Sequence, residues 1–326
     1  MPEGQRGLVH AWNNGAWWLW LLRPLEWLFR TLAALRRQLY ASGLLSGYRA
    51  DKPVVIVGNI TVGGSGKTPI VIALVEALQA QGITAGVVSR GYGAGAGVFP
   101  HTVSDASTSP DCGDEPLLIY QRTHCPCVVA PSRPAAVRTL LENFAVDVVI
   151  CDDGLQHYAL ARDMEIAVLD ARVGVGNGFC LPAGPLREPV SRLQSVDYVL
   201  YRGSDDPING VSYEQVCLVN LATAEQRPVA IGAIGKSVYA LAGIGQPEQF
   251  YTSLTRLGFD TEQRVFPDHY AYSATDFAGL GDKPVIMTEK DAVKCREFAG
   301  ANAWYLRIDA RLPRALPEAV AALART

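Results

Sequence analysis

An α/β fold, a parallel sheet with helices on both faces, is predicted by three features of this sequence. Short β-branched runs (53–57, 85–89, 146–151, 165–169, 196–201) alternate with stretches of helical periodicity (68–80, 116–122, 133–142), the order that folds as strand–helix–strand units. The runs are largely continuous in apolar residues rather than apolar at every second one, as in strands covered on both sides. A glycine-rich turn, Gly58 to Thr68, joins the first run to the first helix. The 326 residues exceed one domain of ~150 residues, so a second, smaller domain is expected.

Residues 1–50 form the first element. They hold Trp12, Trp17, Trp18, Trp20 and Trp27, and six arginines against two glutamates. The apolar run from Ala16 to Leu22 is far short of the ~20 residues that cross a bilayer, and Arg23-Pro24 ends it. Pro24 opens a helix that runs to about Ser42, with Gly43 as its stop. At helical spacing Leu21, Leu22, Leu25, Leu28, Phe29, Leu32, Leu35 and Leu39 fall in one stripe, with Arg23, Glu26, Arg30, Arg37 and Gln38 opposite. Arg36 breaks the stripe and fits only by reaching past it. Such a helix lies in a membrane interface or docks on the protein's own core; the tryptophans favour the membrane.

The main domain spans 51–204. The punctuating segment Asp205-Asp206-Pro207-Ile208-Asn209-Gly210 opens a linker assigned to 205–230. A smaller α/β domain follows over 231–312, with strands at 238–244, 285–288 and 304–308 and helices near 247–257 and 291–299. A closing helix in 313–326 packs back. The net charge of −3 excludes a general nucleic-acid binder. Seven scattered cysteines and the lack of HExxH or paired CxxC spacing argue against a disulfide framework or a structural zinc site. The expected state is a monomer.

Three segments carry chemistry. Strand, glycine turn and helix are the context of a phosphate-binding loop, so the main domain reads as P-loop NTPase-like. Thr61, Val62, Gly63, Gly64, Ser65, Gly66, Lys67 and Thr68 would wrap a nucleotide, with backbone N–H groups and the helix N-terminus facing its phosphates. Lys67 would reach the β- and γ-phosphates and the Thr68 hydroxyl a Mg²⁺. The usual pattern opens with Gly where this chain has Thr61. The run 146–151 ends in Asp152-Asp153, placing carboxylates at a strand's carboxyl end, where a Walker-B acid sits. Gln156 and His157 follow and reach the same crevice. Asp114 and Glu115 precede an apolar helical run, and His269 lies in a Pro-Asp loop; the residues alone do not connect Asp114 with His269.

Together these stretches resemble the tetraacyldisaccharide 4′-kinase family over nearly the whole chain. The matching segments are TVGGSGKTP (61–69), SRGYG (89–93), GDEP (113–116), DDGLQH (152–157), GNGFCLPAGPLREP (176–189), FPDH (266–269) and TEKDAVK (288–294). That family's loop also opens with Thr. The resemblance implies ATP-dependent phosphorylation of the 4′-hydroxyl of a tetraacylated disaccharide 1-phosphate, with Mg²⁺, to give lipid IVA in lipid A biosynthesis. It implies Asp114 as general base with His269 as its dyad partner. Asp152, Asp153 and Glu188 are implied around the metal, and Gln156, His157 and Arg90 as further site residues. It also gives the N-terminal helix a purpose, since a four-chain acceptor keeps the enzyme at the cytoplasmic face of the inner membrane. Two rivals use the same loop: a membrane-associated regulatory NTPase without a small acceptor, and a soluble kinase of a small metabolite.

Overall fold

The computed structural model describes residues 3–63, 66–95 and 97–325. Helix α1 (Glu3–Asn14) and a 3-10 turn over Trp17–Leu22 lead into α2 (Arg23–Ala41), which carries Pro24 in its first turn. The leucine stripe does not dock on the core. Leu21, Leu25, Leu28, Leu32 and Leu35 are each more than half exposed, as are Trp17, Trp20 and Trp27, whereas Glu26 from the polar side is fully buried. Of the stripe, Leu22, Phe29 and Leu39 are partly covered. Glu26 accepts a hydrogen bond from the Cys180 N–H at 3.0 Å and pairs with Arg23 and Arg30, and the Trp12 indole N–H donates to Pro182 O at 3.1 Å. Arg36 is exposed and lies over the Tyr40 ring. Among the described residues no helix is long and apolar enough to cross a membrane.

The main unit runs β1 (Val54–Gly58), α3 (Lys67–Gln79), β2 (Ala85–Ser89), β3 (His101–Thr102), α4 (Ser109–Cys112), α5 (Asp114–Thr123), β4 (Cys127–Val129), α6 (Arg133–Asn143), β5 (Val148–Asp152), β6 (Met164–Asp170) and β7 (Tyr198–Arg202). β1, β2, β4 and β5 are buried at every residue. Successive side chains alternate between two cores: Val55, Val57, Val87, Ile150 and Val168 face α3 and α5, while Val54, Ile56, Val88, Cys151 and Leu169 face α6. Each fully buried aliphatic side chain contributes about 1.5–3 kcal/mol, enough to fix the register of strands with no polar face to lose.

The second unit runs β8 (Gly210–Asn220), β9 (Gln226–Arg227), α7 (Ile231–Ile234), β10 (Ser237–Ala242), α8 (Pro247–Arg256), β11 (Asp260–Val265), α9 (Ala274–Phe277), β12 (Val285–Thr288), α10 (Glu289–Cys295), β13 (Ala303–Arg311) and α11 (Ala315–Ala324). All strands join one sheet in the order β11-β10-β12-β13-β8-β7-β6-β1-β5-β2-β4-β3, with β9 on β8. The linker assigned to 205–230 is corrected here. Its opening turn is present, with the Asp206 carboxylate accepting from the Ile208 and Asn209 N–H groups. The next eleven residues are β8, which pairs in parallel with β7 at Tyr201↔Gly210 and Arg202↔Val211 and then antiparallel along β13. α11 returns to the first core, where Leu316, Val320 and Ala321 are buried with α3 residues.

Candidate active site

β1 lies between β5 and β6, with Val57 paired opposite Asp152, so the loop after β1 opens over the acidic end of β5. Gly66 holds the turn into α3 at φ +66°, where a Cβ would lie 3.1 Å from both Arg202 Cδ and Tyr213 Oη. The Tyr213 hydroxyl donates to Gly66 O at 2.8 Å. A cavity of about 1030 Å³ spans this loop and the second unit; its walls include Val62, Gly63, Gly66, Lys67, Thr68, Arg90, Asp152, Asp153, His269 and Lys290. The expected loop residues Gly64 and Ser65 lie outside the described residues. Thr61 bridges to Leu186 at the loop's start.

The two carboxylates after β5 differ. Asp153, held at φ +49°, lies 3.2 Å from Lys67 Nζ and 3.0 Å from the Arg187 guanidinium. Burial penalises its charge, but Lys67 and Arg187 hold it far below the usual carboxylate range. Asp152 is buried, and burial, reinforced by Glu115 and Asp153, pushes its carboxyl up to about 7 against the pull of Lys67 and Arg133. Its Oδ2 accepts from Ser89 Oγ at 3.4 Å, and its Oδ1 has no hydrogen-bond partner. That orphaned oxygen, in the same wall as the Thr68 hydroxyl, fits a Mg²⁺ ion. Among the described residues no cluster of three or more His, Cys, Asp or Glu could enclose a metal, which suits an ion completed by phosphate oxygens and water.

Glu188 does not join them. Its carboxylate accepts from Gln156 Nε2 at 2.8 Å and from the Tyr158 hydroxyl, beside Arg192, and neither it nor Gln156 lines the cavity. Gln156 also donates to Asn59 O at 3.1 Å, so the pair braces the strand behind the loop. His157 is likewise outside the cavity wall, and burial, with the Arg133 and Arg90 cations, lowers it to about 4, leaving it neutral. None of the three lines the cavity, and of them only Glu188 is buried.

The structure joins Asp114 to His269. Gly113, at φ +89°, packs so closely on Tyr92 O that a Cβ would lie 2.6 Å away, and this tight turn aims the first residue of α5 inward. Asp114 Oδ2 lies 3.1 Å from His269 Nδ1, and its Oδ1 accepts from the Ser109 hydroxyl. Burial raises the Asp114 carboxyl, but His269, Lys294, Ser109 and Lys290 outweigh it, and the group titrates below its ordinary value. His269 lines the cavity and Asp114 does not, so the imidazole is the member of the pair that faces the open space. Lys290 Nζ stands 3.5 Å from His269 Nε2; an ammonium has only donors, which leaves Nε2 as acceptor and the Nδ1 proton on Asp114.

Several groups were not singled out by sequence reasoning. Arg187 sits in the matched 176–189 stretch and Lys290 in 288–294, so family likeness could have flagged both. Arg133, fully buried, donates to Asp152 O at 2.8 Å and Asp153 O at 3.4 Å. Arg202 and Tyr213 carry no local signal.

A glycine-rich loop between strand and helix, a lysine and an acidic strand end beside it, and a carboxylate–imidazole pair across the same cavity are the arrangement of a P-loop phosphotransferase. A profile of the tetraacyldisaccharide-1-phosphate 4′-kinase family (LpxK) matches residues 18–325. The chain is 49% identical to a tetraacyldisaccharide 4′-kinase of Pseudomonas aeruginosa (strain LESB58), over 93% of this chain and 92% of that protein. It is 50% identical to the one of Azotobacter vinelandii, with the same coverage. A crystal structure of the "apo" form of LpxK from Aquifex aeolicus in complex with ATP superposes with TM-score 0.80 at 29% identity, covering 94% of this chain and 98% of that one. The chain belongs to the tetraacyldisaccharide-1-phosphate 4′-kinase family, and is thus a phosphotransferase of lipid A biosynthesis with an alcohol acceptor.

Proposed function

We propose that this chain transfers the γ-phosphoryl group of ATP to the 4′-hydroxyl of a tetraacylated disaccharide 1-phosphate at a membrane surface. The observation that carries the reading is the convergence of Lys67, Thr68, Asp152 and His269 on one cavity. Lys67 and the loop N–H groups orient the triphosphate and neutralise its charge. Thr68 and Asp152 would hold Mg²⁺, which supplies charge neutralisation of the phosphates; Asp153 keeps Lys67 in place. His269 Nε2 takes the hydroxyl proton as the oxygen attacks, and Asp114 stabilises the resulting imidazolium, the pair titrating as one unit. Arg90, in the cavity wall, adds positive charge toward the phosphates.

The outward apolar face of α2 supports docking on the bilayer that holds the acceptor. Exposed leucines and tryptophans enter the interface, and the arginines meet anionic headgroups at about 1 kcal/mol each. Residence at the cytoplasmic face of the inner membrane as a peripheral monomer follows from that reading. The test is mass spectrometry of purified lipid disaccharide 1-phosphate after incubation with enzyme, ATP and Mg²⁺. A single added phosphoryl group is expected. ATP hydrolysis that ignores the acceptor would refute it in favour of a regulatory NTPase, and turnover of a water-soluble acceptor alone in favour of a metabolite kinase.

A further inference from the structure

The segment 288–294 belongs to the second unit, yet its charges are spent on the helix that carries Asp114. Glu289 pairs with Arg122 at 3.0 Å, Lys290 with Glu115 at 3.1 Å, and Lys294 Nζ lies 3.9 Å from Asp114 Oδ2. Three charges of α10 thus address three residues of α5. Of the two lysines, Lys294 is the more buried: its side chain is 6% exposed against 20% for Lys290, and its neighbour Asp291 is 0% exposed. Asp291 is itself fixed, accepting from the Thr288 hydroxyl at 2.6 Å and the Gly243 N–H at 2.9 Å. Its Oδ1 lies 2.8 Å from Lys294 Nζ, which makes no well-aligned hydrogen bond and rests 4.8 Å from the centre of the Tyr272 ring. A buried ammonium held this way acts as a fixed point charge aimed at the carboxylate.

We infer that Lys294 is a positioning residue for phosphoryl transfer: held by Asp291, its ammonium faces the Asp114 carboxylate and holds the Asp114–His269 pair in its proton-accepting form. The inference rests on the dyad reading given above. Other groups facing the pair are Tyr92, whose ring lies 5.0 Å from the imidazole, Ser109 and Cys112 from α4 and its end, Glu115 from α5, Asp268 beside His269, and Lys290 and Cys295 from α10. Lys290 offsets Glu115 and Asp268 at the rim, leaving Lys294 as the cation buried against Asp114. Without the Lys294 charge an added proton meets less repulsion, so the pair leaves its proton-accepting form at a higher pH.

The test compares full-length Lys294→Met and Lys294→Arg with wild type, measuring kcat, KM for ATP and the pH dependence of kcat with lipid acceptor. For Lys294→Met the acidic limb of the profile should move up by about one pH unit, a roughly tenfold fall in kcat at fixed pH on that limb, with KM for ATP within about twofold. Lys294→Arg should restore the limb. Should Lys294→Met unfold, Asp291→Asn/Lys294→Met, which buries no lone charge, carries the same expectation. A limb that stays in place while only thermal stability drops would show a purely structural lysine and overturn the inference. Asp114→Asn is measured alongside: near-normal turnover there breaks the dyad reading itself, whereas a dead Asp114→Asn with an unmoved Lys294→Met limb breaks only this one.

Discussion

Asp152 is a carboxylate that the fold strains to keep charged, and Asp152→Asn should show this as a gain in stability. A carboxyl raised from 3.8 to about 7 costs the folded state about 4 kcal/mol when ionised, at 1.36 kcal/mol per pH unit. The sign runs against folding: below pH 4 both states hold the proton and nothing is lost, the cost grows from pH 4 to 7, and it is full above 7. Asparagine keeps the shape and the contact with Ser89 while removing the charge, and some attraction to Lys67 and Arg133 goes with it. A gain of roughly 2–4 kcal/mol at pH 8 is therefore expected without Mg²⁺. For 326 residues, with ~2.1 cal/mol/K per residue, this is a rise of about 3–6 °C in Tm. Calorimetry at pH 8 and pH 4 reads it, and Mg²⁺-dependent turnover should meanwhile fall by about 10²-fold or more, the exchange of stability for activity seen at strained sites. No gain at pH 8, or an equal gain at both pH values, would refute the reasoning.

Three other outcomes are expected. Asp114→Asn should retain ATP binding by calorimetric titration while kcat falls about 10²–10⁴-fold, as loss of a general-base unit does. Gly66→Ala, forced to φ +66° against Arg202 and Tyr213, should lose about 1–2 kcal/mol of stability in denaturant titration and raise KM for ATP. Replacing Leu25, Leu28 and Leu32 with serine should leave Tm nearly unchanged, since all three are exposed, but abolish co-sedimentation with anionic vesicles.

How far the sequence could be read depended on where each signal was stored. β1, β2 and β5 announce themselves as near-continuous apolar runs, and Lys67, Thr68 and Asp152 because they sit at fixed offsets in or after those strands. β11 is an edge strand with one face bare, and Asp-Thr-Glu-Gln-Arg-Val offers no hydrophobic run to detect. β4 is three residues long. β8 was hidden by its own opening turn, since the punctuation of 205–210 marks a real bend but not the end of the sheet. In the site, Asp114 and His269 are 155 positions apart, and only family likeness linked them. Glu188 is engaged by Gln156, Tyr158 and Arg192, a set of contacts that no linear pattern records.

The buried Glu26 gives the N-terminal arm an unusual independence. Hydrogen bonds at the Cys180 N–H and the Pro182 carbonyl fasten it to the body, and its oily side is left over. Protein and lipid therefore never compete for the same surface. On the proposed docking to a bilayer, the enzyme would land and lift off again with its attachment intact, and detergent that coats the leucines would have no reason to peel the arm away.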